Sequence, residues 1–137
     1  MKDYEINLTE SEAGYVAGII DGEGTITTGT SNKYYNLVLV VSNTNIDLML
    51  YLEKILGGSM FECQPQNGNR PIYRISWTGK KAMSIIEAIK PYLIVKKSQA
   101  ILAGLFQDLI AYGKPVSEDN LKQRIIYKNL MRDLNRR

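Results

Sequence analysis

The sequence predicts an α+β domain in which an antiparallel sheet is backed by helices. Three observations predict it. Two pairs of short runs rich in β-branched and aromatic residues are each joined by a polar turn; a helix-patterned segment separates the pairs; and the remaining segments carry helical periodicity. At 137 residues, with 45% hydrophobic and 23% charged side chains, the chain is sized for one soluble domain spanning residues 1–137.

The elements follow in order. Thr9 or Ser11 caps a first helix whose opening turn carries Glu10 and Glu12, acids suited to the positive end of the helix dipole. The apolar run 13–20 continues this helix and Gly22 and Gly24 end it, giving about three turns, near the mean for globular proteins. Residues 25–31 and 34–42 form a first hairpin around a Ser-Asn-Lys turn. Residues 47–56 place Leu48, Leu52, Ile55 and Leu56 at helical spacing, closed by Gly57 and Gly58. Residues 59–64 and 70–77 form a second hairpin around Pro-Gln-Asn-Gly-Asn. Helices are expected over 80–90, ended by Pro91, over 95–111, ended by Gly113 and Pro115, and over 118–137, the last basic and amphipathic. The order is α-β-β-α-β-β-α-α-α, with no linker and no low-complexity tract.

Composition removes several chemistries. Cys63 is the only cysteine and histidine is absent, which excludes intrachain disulfides, Cys/His zinc sites and histidine-based triads. Catalysis by this chain would rest on carboxylate, amine, hydroxyl or metal. The net charge of +3 is unevenly spread: residues 1–24 hold one base against six acids, a net of −5, and residues 25–137 hold sixteen bases against eight acids, a net of +8. That division fits a polyanionic partner with one acidic spot inside its footprint, or a solvated basic surface. The longest apolar window, 13–20, is far shorter than the roughly 20 residues of a membrane span. No membrane partner is expected, and since acids precede that window as no signal peptide has them, the expected location is intracellular: cytoplasm, nucleoid or an organelle.

One stretch concentrates the unusual features: Gly14-Tyr15-Val16-Ala17-Gly18-Ile19-Ile20-Asp21-Gly22-Glu23-Gly24. Ala13 with Ala17, and Gly14 with Gly18, are small pairs at i, i+4 that let a second helix approach closely. Asp21 and Glu23 then fall at the negative end of the helix dipole, where carboxylates are unfavourable without a positive partner. Two readings fit: a glycine-capped helix end with two solvated acids, or a site for an oxygen-loving divalent cation such as Mg²⁺.

Residues 16–24 resemble the LAGLIDADG motif of homing endonucleases, with conservative changes at Val16, Ile19 and Glu23 and a common glycine at 22. The likeness extends beyond the motif, to Ser42-Asn43-Thr44 before a leucine-rich helix and to the lysine-bearing segment Pro91-Tyr92-Leu93-Ile94-Val95-Lys96-Lys97-Ser98-Gln99. It covers about residues 7–135 and implies the αββαββα fold, a saddle-shaped four-stranded antiparallel sheet backed by helices, with C-terminal helices added.

By that resemblance a single motif is half of an active centre, so two copies pair through the helix bearing Ala13, Gly14, Ala17, Gly18 and Asp21. Glu23, with the carbonyl of Gly22, would hold Mg²⁺, for which Mn²⁺ is expected to substitute; Asp21 is expected to fix the helix end rather than to bind metal. Glu23 stands where the family usually has Asp, one methylene shorter. Lys96 matches the family's basic residue near the water network and Asn43 its water-orienting amide, with Thr44 the alternative if the alignment shifts by one. Read without the family, Lys96 is an ordinary surface lysine; Lys97 beside it is a candidate phosphate contact.

Strand parity assigns the two faces of the sheet. With Ile26, Leu37, Leu39, Val41, Tyr73, Ile75 and Trp77 inward, the outer face carries Thr25, Thr27, Gly29, Ser31, Lys33, Asn36, Val38, Val40, Ser42, Arg70, Ile72, Arg74 and Ser76. The resemblance lays this face in the major groove, where Arg70 and Arg74 are candidates for guanine, Glu62 and Gln64 for cytosine or adenine, and Val38 and Val40 for thymine methyls. Lys33 and the turn residues Gln66, Asn67 and Asn69 are candidates at the ends of the site. The last helix, with Lys122, Arg124, Lys128, Arg132, Arg136 and Arg137, either contacts phosphate or packs with a solvated face. The expected function is site-specific cleavage of a long pseudo-palindromic duplex by a homodimer; the alternative is a non-cleaving binder on the same scaffold, such as a DNA-binding regulator or a maturase acting on its own intron RNA.

Overall fold

In the computed structural model, which describes residues 5–31, 34–65, 70–110 and 116–136, the chain enters α1 (Glu10–Glu23) through a capping box. The Thr9 hydroxyl accepts from the Glu12 amide at 3.1 Å and the Thr9 amide donates to Glu12 Oε1 at 2.9 Å. Thr9 is therefore the cap. Ser11 lies inside the first turn with its hydroxyl 3.2 Å from that of Thr9.

No loop separates α1 from β1 (Gly24–Ser31). That junction needs Gly24, because a Cβ there would lie 2.9 Å from the Cα of Ile20. Strand β2 (Tyr34–Asn43) pairs antiparallel with β1 along its length, from Gly24 opposite Val41 to Ser31 opposite Tyr34. The Asn43 side chain then accepts from the Asn45 amide at 2.8 Å, and Asn45 caps α2 (Ile46–Leu56) through the Leu48 amide at 3.1 Å. Gly57, at φ 74°, ends that helix in a backbone conformation that L side chains avoid.

The second hairpin is shorter than its sequence pattern implies: β3 (Met60–Cys63) and β4 (Ile72–Thr78). Strand order is β1-β2-β4-β3, so the longest strand, β2, and β4 occupy the centre. Next come α3 (Gly79–Ile89), a 3₁₀ turn (Lys90–Tyr92) that contains Pro91, α4 (Lys97–Leu109) and α5 (Glu118–Asn135). The fourth helix thus begins at Lys97 rather than at residue 95. Residues 94–96 are instead drawn out of helical register by contacts with α1, described below.

Among the described residues the five helices lie on one face of the sheet, and the core fills the layer between. Ile26 of β1, Leu37, Leu39 and Val41 of β2, and Ile75 of β4 are fully buried against Val16, Ala17 and Ile20 of α1, Leu52 of α2, Ile85 and Ile86 of α3 and Phe106 of α4. Trp77 adds a directional tie by donating from Nε1 to the Gly57 carbonyl at 3.0 Å. Helix α5 belongs to the same layer: Met131 is buried and the Asn135 amide donates to the Ile26 carbonyl at 2.9 Å. Its Arg124, a candidate phosphate contact in the sequence, is 4% exposed and donates to Asn120 at 2.6 Å. Burial on the inner flank of α5 removes Arg124 from that set, whereas Lys122, Arg132 and Arg136 are exposed. Among the described residues, no helix is long and apolar enough to cross a membrane.

Candidate active site and nucleic-acid interface

The candidate catalytic and metal-binding side chains gather at the foot of α1. Asp21 and Glu23 are two residues apart, hence about 200° apart around the helix, so they face different surroundings. Asp21 turns toward the segment before α4: Oδ2 accepts from the Ile94 amide at 2.8 Å and Oδ1 from the Lys96 amide at 3.0 Å. The Val95 amide between them also favours the ionised carboxyl. The Asp21 carbonyl, near a terminus where helical carbonyls lose their intrahelical donors, accepts from Lys96 Nζ at 2.8 Å. Partial burial pushes the Asp21 carboxyl upward, but the three backbone amides and the Lys96 charge outweigh it and hold the group below its ordinary value of 3.8.

Glu23 turns the other way. Its carboxylate is exposed and meets no hydrogen-bond or ion-pair partner among the described residues, and Gly22 beside it is exposed too. Since the Gly24 amide closes back on Ile20, the carbonyls after Ile20 are those the helix leaves unbonded. One chain therefore presents a carboxylate and a helix-terminal carbonyl, hard oxygen donors that suit Mg²⁺, an ion that keeps much of its shell as water and phosphate. Among the described residues no group of three or more His, Cys, Asp or Glu gathers into a complete cage. The donor set fits half a metal site.

Asn43 reaches the same end of the sheet, because β2 runs two residues past the point where Val41 faces Gly24. Its side-chain oxygen is occupied by the Asn45 amide. Thr44 is exposed just beyond the strand.

Helix α1 carries two stripes of small residues, and the structure separates them. Ala13 and Ala17 are 4% and 0% exposed, packed into the chain's own core. They are not available to a second copy, which corrects the expectation for these two positions. Gly14, Gly18 and Gly22 form the outward stripe, and a Cβ added at any of them meets nothing within 4 Å. Beside it Tyr15, 52% exposed, makes an edge-to-face contact with Tyr51 of α2, with centroids 5.5 Å apart. The reason for the division is packing: a core-facing position gains from a methyl that fills space, whereas a glycine there would leave a void.

The sheet's other face is open. Pairing puts Thr25 with Val40 and Ser76, Thr27 with Val38 and Thr78, Gly29 with Asn36, and Ser42 with Arg74, all on the side away from the helices. Arg70, Ile72, Arg74 and Ser76 are exposed, and Val38 and Val40 are half-buried in mid-sheet. The backbone of Ser31 continues this register. Lys33 and the turn residues Gln66, Asn67 and Asn69 lie outside the described residues. Glu62 is a correction: it pairs with Tyr73, on the helix side of the sheet, and Gln64 lies beyond the end of β3. The outward residues of β3 are Phe61, opposite Arg74, and Cys63, opposite Ile72. Lys97 is exposed at the first position of α4, next to the foot of α1.

Comparison with known proteins decides the family. Residues 16–104 match the sequence model of the LAGLIDADG endonucleases. The chain belongs to the LAGLIDADG endonuclease family. Its fold is shared with solved homing endonucleases. I-CvuI, in complex with its target, aligns at TM-score 0.75 with 20% identity over 90% of this chain and 82% of that one. The archaeal intron-encoded I-Vdi141I, complexed with DNA, aligns at 0.76 with 17% identity over 91% and 84%. I-GzeII, in complex with its DNA target, aligns at 0.68 with 21% identity over 90% of this chain and 44% of that one. Comparison with curated proteins finds no match.

Within this LAGLIDADG chain, sequence reasoning missed Phe61 and Cys63 on the outer face and the Ile94–Lys96 backbone at the foot of α1. A strand of four residues carries too short an alternation to announce its parity. The Asp21 contacts join residues more than seventy positions apart, so no local pattern encodes them.

Proposed function

We propose that this LAGLIDADG protein is a site-specific double-strand DNA endonuclease acting as a homodimer, with a Mg²⁺ site, for which Mn²⁺ substitutes, completed at the foot of two paired α1 helices. The observation that carries the proposal is an exposed Glu23, without a partner among the described residues, at the same end of α1 to which Lys96 is anchored and below that helix's open glycine stripe. A single chain supplies one such carboxylate, and it spans 44% of I-GzeII. Two copies related by a two-fold axis, meeting along Gly14, Gly18 and Gly22, would bring two Glu23 side chains together.

When bound, Mg²⁺ supplies charge opposite the scissile phosphate and lowers the pKa of the attacking water. I-CvuI with target DNA in the presence of Ca or Mg supports divalent-metal use. The chain's own residues do the rest. Glu23 and the Gly22 carbonyl offer the oxygen ligands, and Lys96 places a fixed positive charge at the same helix end, where negative charge grows on the phosphoryl oxygens. Asn43, already oriented by the Asn45 amide, is held where its remaining amide hydrogens can direct solvent. The outer face meets the duplex through Thr25, Thr27, Asn36, Arg70, Arg74 and Ser76, with Val38 and Val40 as apolar readers of thymine methyls. Lys97 is a phosphate contact.

Cleavage selection tests this reading. Purified protein with Mg²⁺ is offered a randomised, palindrome-biased duplex library, beside Glu23→Gln. Enrichment of one cut site by the parent protein, lost in the variant, is expected. Enrichment by binding without cut ends would instead make the protein a non-cleaving binder.

A further inference from the structure

The segment between the 3₁₀ turn and α4 is held by Leu93 in the core and, beyond it, by one side chain of α1. After Leu93, Gln99 is the next buried side chain, and between them Ile94 is 84% exposed and Val95 68% exposed, so residues 94–96 have no apolar anchor. Its backbone amides converge on the Asp21 carboxylate, at 2.8 Å from Ile94 and 3.0 Å from Lys96, one oxygen each. Backbone amides gathered around one anion act as a nest. The Lys96 stem then folds back so that its ammonium rests 2.8 Å from the Asp21 carbonyl, at the terminus that also carries Gly22 and Glu23. Lys96 thus has both ends tied to one residue of α1.

We infer that Asp21 is the positioning residue of this centre: it holds the Ile94–Lys96 backbone and the Lys96 ammonium against the foot of α1, and so acts on cleavage through Lys96. The inference rests on the endonuclease reading above. It gives the two motif carboxylates separate duties. Both Asp21 oxygens are committed within the chain, which leaves Glu23 as the carboxylate facing outward. A lysine on a flexible four-carbon stem is a poor fixed charge unless something holds it. Charge that is already oriented when the reaction begins is what such a centre needs.

The test is a two-residue cycle read in single-turnover cleavage and in duplex binding. Asp21→Asn offers one acceptor oxygen where the nest needs two, and turns an NH₂ toward a backbone donor. Its cleavage rate is expected to fall on the order of 10²-fold, as misplacement by about 1 Å can do, with the dissociation constant for the selected duplex unchanged and the dimer intact in sedimentation. Lys96→Met is expected to fall at least as far, and the double variant to cleave no more slowly than Lys96→Met alone, because the second change removes nothing further. Asp21→Glu, which keeps charge and both oxygens but displaces the segment by a methylene, should fall between the parent protein and Asp21→Asn; it carries the test if Asp21→Asn does not fold, and cleavage at the parent rate would then overturn the inference. Asp21→Asn at the parent rate, losses that multiply in the double variant, or a dimer that separates would each overturn it while leaving the endonuclease reading in place. A parent protein that yields no cut ends overturns both.

Discussion

Asp21 and Glu23 are the same chemistry one glycine apart, and the fold treats them oppositely. Asp21 accepts a backbone hydrogen bond on each carboxylate oxygen and lies beside the Lys96 ammonium. Glu23, at the last position of α1, is exposed without a partner among the described residues. A carboxylate at a helix C-terminus opposes the dipole, so each must be answered by positive charge or donors. For Asp21 the chain supplies the answer itself; for Glu23 the described residues supply none. The spacing of acids in the motif thus separates an anion that the chain satisfies from one that it leaves exposed, by rotating one side chain about 200° from the other.

The sharpest way to break that comparison is to neutralise Glu23. Glu23→Gln should cut cleavage by roughly 10³-fold or more, the scale of several kcal/mol of transition-state stabilisation. Duplex binding and folding stability should stay near those of the parent protein, because an exposed surface change is usually within about 0.5 kcal/mol. Retained cleavage at the parent rate would remove Glu23 from the metal site and leave the outward carboxylate without a function.

The next largest effect separates the two small stripes of α1. Gly18→Leu fills the open side, where nothing beyond the neighbouring residues and backbone of its own helix lies within 4 Å of the new Cβ, so it should split the dimer in sedimentation and abolish cleavage with it. Folding of the separate chains should hold or improve by up to about 1 kcal/mol, since glycine weakens a helix interior by that amount relative to alanine. Ala17→Leu should do the reverse: the side chain is fully buried in its own core, and overpacking there costs about 1–3 kcal/mol of folding stability. A Gly18→Leu protein that stays dimeric would place the interface elsewhere.

Much of this arrangement was legible in the sequence, and the failures have physical causes. The order of elements, the inward residues of β2 and β4 and the closing glycines of α2 follow from period-2 and period-3.6 patterning and from turn chemistry, which are local. Which small stripe faces inward is not local: adjacent positions on α1 both carry small residues, and only contact with α3 and the sheet decides between Ala13/Ala17 and Gly14/Gly18. The parity of β3 depends on its register against β4, which puts Phe61 and not Glu62 beside the arginine of the outer face. Residues 95 and 96 carry no helix breaker and read as helix until Asp21 captures the Ile94 and Lys96 amides from across the fold. Tertiary contacts override propensity there.

A smaller effect than either, but one that Asp21 alone should show, is on folding. Asp21→Asn removes charge-assisted hydrogen bonds worth about 1.5–3 kcal/mol when buried, and since the group is only partly buried the expected loss at neutral pH is about 1–2 kcal/mol. Denaturant titration of the parent protein and the variant measures it. A difference near zero would mean that the nest costs as much to form as it returns.

The pH dependence of that difference is the finest discriminator. Asp21 has a folded-state pKa below its ordinary value of 3.8, because the Ile94, Lys96 and Val95 amides and the Lys96 charge outweigh the opposing effect of burial. A depressed folded pKa means that the unfolded chain takes up the proton first as pH falls, so the unfolded state binds more protons and stability declines with acid. The contribution is therefore fully present above the unfolded value and is lost as pH drops through the folded one. The parent protein and Asp21→Asn should differ by a constant amount from neutral pH down to about 5 and converge below about 4. Asparagine at this position does not titrate, so the convergence belongs to Asp21 itself and not to other carboxylates, which both proteins share. A difference that persisted unchanged in acid would show that the nest is held by shape and not by the charge of Asp21, and the contrast with Glu23 would then be one of burial alone.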